Sequence, residues 1–192
     1  MRCFSCSRLS LPILCKTCRK QLFVPAMGTR KVGTLDVISF FKYSSIETLL
    51  HSKHKPEGYR IYKALAEMTM KPFMEEFLEC DNRDVYIVGI DEYVKSSYAH
   101  VALLTRAMKM KHSIPQHSSL MAKSRANYSG KSLQFRLDHP RDFVYTGKSD
   151  IDVILVDDRP ESPAAAAPQI EQRTAERTCT DQNACRSLFG DA

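Results

Sequence analysis

Val153-Ile154-Leu155-Val156-Asp157-Asp158 is the stretch on which the reading of this chain turns. Four apolar residues followed by two acids place two carboxylates at the carboxyl end of a buried strand. In open α/β sheets, ligands bind at that edge. Two carboxylates there can accept hydrogen bonds from the vicinal hydroxyls of a ribose, with Mg2+ bridging nearby oxygens. The alternative is a strand that simply ends in solvated acids.

Upstream, further short apolar runs alternate with helical periodicity. Leu35 to Tyr43 reads as a strand, the arm of a hairpin with what precedes it. Ser44-Ser45 offers an N-cap, with Ile46, Leu49 and Leu50 as the stripe of a helix. Gly58 to Leu78 carries a helical period interrupted near Pro72. Val85 to Ile90 reads as a buried strand, Val101 to Met110 as a helix, and Phe143 to Tyr145 and Ile151 to Val156 as strands. Apolar strands alternating with helices predict an α/β fold, its mostly parallel sheet covered on both faces.

The amino-terminal 31 residues differ in kind. Cys3-x-x-Cys6 and Cys15-x-x-Cys18 form two knuckles, each presenting two thiolates to one ion from a tight turn. Together they predict a tetrahedral four-sulfur site for structural Zn2+, with no open position for catalysis. Arg2, Lys16, Arg19 and Lys20 are expected to lower the thiol pKa values and to offset part of the negative charge of such a centre. The other readings are a disulfide pair, an iron–sulfur cluster or unconnected thiols. Cys80, Cys179 and Cys185 fit no pattern.

The net charge of +6 is unevenly spread. No acid precedes Asp36, whereas Arg2, Arg8, Lys16, Arg19, Lys20, Arg30 and Lys31 do. A second acid-free stretch, Lys95 to Leu137, carries eight Lys or Arg together with His100, His112 and His117. Two such tracts imply an anionic partner, a phosphorylated metabolite or nucleic acid, unless they are merely solvated basic faces. Tyr93, Tyr98, Tyr128 and Phe135 are candidate stacking platforms for single-stranded DNA, with core packing as the alternative. No run of eighteen apolar residues and no secretory h-region occurs, so a cytoplasmic protein is expected, with peripheral membrane contact left open.

After Asp158 the composition breaks: Arg159-Pro160-Glu161-Ser162-Pro163 opens a Pro- and Ala-rich segment without Lys or Tyr. It reads as a linker and disordered tail, or as a non-native end such as a shifted reading frame produces. Three units are therefore expected: a four-cysteine zinc module at 1–31, an α/β domain at 32–158 and an atypical tail at 159–192.

The order of these features resembles the ComF competence family: the tetracysteine start, Phe41-Lys42-Tyr43 with Lys53-His54-Lys55, the basic stretch, then Val-Asp-Asp. The resemblance implies a type I phosphoribosyltransferase-like domain behind a zinc finger, and a role in natural transformation alongside the DNA-uptake machinery. It implies that Asp157 and Asp158 meet the ribose of phosphoribosyl pyrophosphate (PRPP), with Mg2+. Lys95 and Ser96 would hold the pyrophosphate, and Lys123, Arg125 and Lys131 would line a mobile basic lid pivoting at Gly130. The resemblance also calls for a Thr-Thr-Gly loop after the acids to cradle a 5′-phosphate. Arg159 to Pro163 stands there instead, with two prolines, an acid and no glycine, so weak or absent PRPP binding is expected. A nucleotide-salvage phosphoribosyltransferase and a zinc-ribbon interaction adaptor are the competing functions.

Overall fold

The computed structural model describes residues 1–32, 35–80, 83–90, 94, 98–124, 132–139 and 141–158. The chain opens with a loop and a short helix α1 (Lys16–Gln21), then a hairpin of β1 (Gly28–Val32) and β2 (Leu35–Ser39), paired antiparallel. The hairpin carries the chain across residue 31. Helix α2 (Tyr43–Leu50) runs into a 3-10 turn (His51–His54), followed by α3 (Gly58–Met68) and α4 (Met70–Cys80). Strand β3 (Val85–Ile90), α5 (His100–Ala107), β4 (Ser113–Ala122), α6 (Leu133–Asp138), β5 (Phe143–Tyr145) and β6 (Asp152–Val156) complete it.

The larger sheet has the order β5-β4-β3-β6. β3 pairs parallel with both β4 and β6, but β5 runs antiparallel to β4. The sheet is therefore mixed: two of its three pairings are parallel, and β5 runs antiparallel at the edge. β5 follows from Ala122 by a return rather than a crossover, so it meets β4 head to tail.

Helices α3, α4 and α5 lie on one face, where Tyr62, Ala66, Met74, Val101, Leu104 and Met108 enclose Val85, Ile87 and Val156. On the other face Phe143 and Tyr145 of β5 fold over Val88, Ile90 and Leu120. Among the described residues, side chains of a curled sheet cover that face rather than a helix layer.

A third cluster joins the cysteine segment to the domain. Cys3, Ile13, Leu14, Cys18 and Phe23 are buried together with Leu49 of α2 and Ile61, Ala64 and Leu65 of α3. Burial of side chains this size contributes about 1.5–3 kcal/mol each, so the segment is docked rather than tethered.

Gly58 sets the approach of the 3-10 turn to α3. A Cβ there would collide with the Ser52 carbonyl oxygen and the Tyr98 hydroxyl. Only glycine lets the two elements meet so closely, and that contact delivers Lys53 to the end of β6.

A candidate metal centre and a buried acidic strand end

Each knuckle is built by its own backbone. Cys3 N–H donates to the Arg8 carbonyl and Ser7 N–H to the Cys3 carbonyl, closing a turn in which Ser7 adopts φ 59°. Cys15 caps α1, its sulfur accepting from the Cys18 N–H at 3.4 Å. Cys15 N–H in turn donates to the Cys3 sulfur at 3.3 Å, tying the knuckles together.

The four sulfurs all lie within 4.8 Å of one another. Cys3 and Cys18 are 3.9 Å apart, Cys6 and Cys15 3.7 Å. A tetrahedron with zinc–sulfur bonds of about 2.3 Å has edges of about 3.8 Å, so the thiols already stand where a four-thiolate zinc centre needs them. The cluster can hold a metal ion such as zinc, and these distances are too long for a disulfide.

Burial opposes ionisation of Cys3, yet backbone N–H groups of Cys6, Cys15 and Ser5 outweigh it and bring that thiol down to about 6. Burial pushes Cys18 up to about 12, reinforced by the neighbouring sulfurs. The Cys18 N–H lowers Cys15 against a smaller cost of burial. One thiolate thus forms readily and the last resists, which is the charge pattern a divalent cation relieves.

The acid pair stands at the carboxyl end of β6, beside the end of parallel β3, where Gly89 is in register with Val156. Asp157 Oδ1 accepts the Asp158 N–H at 2.7 Å. Asp158 turns inward, its side chain 7% exposed. A single oxygen, Oδ2, meets Lys53 Nζ at 3.1 Å, the Tyr62 hydroxyl at 3.2 Å and His100 Nε2 at 3.3 Å. Three elements converge here: the 3-10 turn, α3 and the first residue of α5. Burial penalises the Asp158 charge, but His100 and Lys53 outweigh it and hold the carboxyl far below the usual carboxylate range.

Lys53, Tyr62 and His100 were not assignable to the acid from sequence. Lys53 lies 105 positions away in the chain, and no periodicity links a 3-10 turn to a strand end. Of the basic residues expected around a ligand, Lys123 is exposed just past β4, its N–H bonded to the Asp142 carbonyl. Lys95, Ser96, Arg125, Gly130, Lys131 and the tail from Arg159 lie outside the described residues, as do Tyr93 and Tyr128. Tyr98 packs edge-on against Tyr59, its hydroxyl buried, and Phe135 stacks on His139.

The fit of Mg2+ to Asp158 can be judged at its Oδ2. Mg2+ demands near-octahedral oxygen ligation and retains several waters. An oxygen already receiving three donors, in a nearly inaccessible side chain, does not suit it. Among the described residues no helix is long and apolar enough to cross a membrane. No protein-family model matches the chain, and no curated protein matches it.

Proposed function

We propose that this chain is a ComF-like competence protein with a phosphoribosyltransferase-type α/β domain, acting in the cytoplasm to support DNA uptake by binding single-stranded DNA. One observation carries the reading. A four-cysteine, zinc-compatible module is packed into the core of an α/β domain whose parallel strands end in Asp157-Asp158. The acid-free basic tracts supply the complementary charge for a polyanion.

PRPP is a weak partner in this proposal. The residues after Asp158 lack phosphate-cradling chemistry, and Asp158 itself is engaged by Lys53, His100 and Tyr62. The same two facts weigh against a nucleotide-salvage enzyme. The adaptor reading is separable by experiment, but not by deleting residues 1–31, because that deletion would uncover Leu49, Ile61 and Leu65.

Surface charge substitutions test the assignment. Oligo-dT binding should be independent of base sequence and fall with salt, with a log–log slope of about −0.7 per phosphate contacted. Replacing exposed Arg106, Lys109 and Lys111 by glutamate should weaken it at least tenfold and flatten that slope. Binding unaffected by those changes but lost on reversing Arg2, Arg8 and Lys20 would support the adaptor reading. An affinity insensitive to salt would remove DNA binding from the proposal.

A further inference from the structure

A carboxylate pair at the carboxyl edge of a parallel sheet ordinarily needs a cation to offset its charge before it can face an anionic ligand. Here that charge is met from inside the protein. Lys53 Nζ lies 3.1 Å from Asp158 Oδ2 and is itself only 15% exposed, and His100 reaches the same oxygen while 20% exposed. Tyr62 donates a third hydrogen bond. The ammonium carries a full charge and three donors, and Gly58 allows the turn that presents it to sit tightly against α3.

A divalent ion on Asp158 Oδ2 would have to sit about 2.1 Å from an oxygen with three donors already around it. It would also stand within a few ångströms of an ammonium, a repulsion strengthened by the low exposure of the site.

We propose that Lys53 is the resident counter-cation of Asp158 within the Asp157-Asp158 pair, so that this strand end operates without a divalent metal on Asp158. Ligands at the edge then meet an acid pair already neutralised in part by lysine, and any hydroxyl recognition falls to Asp157 and the surrounding backbone. The inference rests on the proposed sugar-phosphate reading only in that this reading brings Mg2+ to the pair. A titration with metal alone keeps the two apart, since DNA binding can succeed or fail whatever the metal does.

The probe is Mn2+, titrated into zinc-loaded full-length protein and followed by electron paramagnetic resonance and by broadening of the His100 ring signals. The native protein should show no Mn2+ site tighter than millimolar and no selective broadening of His100. Lys53→Met should tighten Mn2+ binding at least tenfold, and adding Asp158→Asn to that variant should remove the gain. Micromolar Mn2+ binding by the native protein that broadens His100 would overturn the proposal. So would a folded Lys53→Met protein that binds Mn2+ no better than the native one. Should Lys53→Met fail to fold, the native titration decides alone, because His100 reports occupancy of Asp158 without any substitution.

Discussion

Cys18→Ala should abolish stoichiometric zinc binding and unseat the amino-terminal segment from α2 and α3. Cys18 is a ligand and a core residue at once, buried with Leu14, Leu49 and Ile61. Its loss leaves three thiols and a void, and a structural zinc site with one ligand missing loses most of its contribution to folding. That contribution reaches about 10–16 kcal/mol in isolated zinc-finger peptides, well above the roughly 2–5 kcal/mol typical of a core truncation. Cys6→Ser separates the two effects, because Cys6 is exposed and removes a ligand without a cavity. If metal is what holds the segment, both variants lower the melting temperature by similar amounts, and a chelator does the same to the native protein. Zinc affinity should fall with acidification. Thiols must lose their protons to bind, and Cys3, at about 6, is reprotonated below that pH.

Asp158→Ala should destabilise the domain by about 3–5 kcal/mol, since it leaves Lys53 buried beside His100 with no anion between them. Lys53→Met should cost less, because His100 and Tyr62 still reach the carboxylate. The double variant Asp158→Ala/Lys53→Met should cost less than the sum of its parts, with a coupling of about 0.5–3 kcal/mol. Chemical denaturation of the four proteins checks this. The pH dependence has a definite sign. Asp158 is held below its unfolded value, so its contribution is complete above about pH 4, the ordinary carboxylate pKa, and is lost as pH falls further. An Asp158→Asn protein should therefore converge with the native one in acid and diverge from it toward neutrality. Parallel stability curves would mean that folding leaves the Asp158 pKa unshifted, so that Lys53 and His100 add nothing to the charged form.

Much of the fold lies open in the residues because burial writes itself into hydrophobic pattern. Val85–Ile90 and Phe143–Tyr145 are strands residue for residue, and the Leu35 strand is a hairpin arm. Local capping is less legible. Helix α2 starts at Tyr43 behind Lys42, with Ser44 and Ser45 inside its first turn. The break in the long helical pattern falls at Thr69, and Pro72 sits in the first turn of α4, where a missing N–H costs little. Strand β4 escapes a reading by pattern altogether. Ser-Ile-Pro-Gln-His-Ser-Ser is polar and holds a proline, yet this half of β4 pairs with β3 alone, since β5 reaches only Leu120–Ala122. An open edge tolerates a residue without an N–H. The register slips between Val88 and Ile90 as β4 bulges through Ser118 at φ 54°.

The two candidate sites differ in the same way. Four cysteines at close spacing announce a metal centre because the chemistry is local, and the sulfurs do come together. The acid pair announces a strand end but not its neighbours. Lys53 belongs to a basic run, Tyr62 to a helical stripe and His100 to a polar stretch. Only the folded chain gathers them on one oxygen.

Zinc K-edge absorption on the purified, zinc-loaded protein tests most directly whether a metal-held cysteine module fronts this domain. A first shell of four sulfurs at about 2.3 Å is the expected result. A shell containing nitrogen or oxygen, or a protein that retains Cys3, Cys6, Cys15 and Cys18 yet takes up no zinc under reducing conditions, would contradict it.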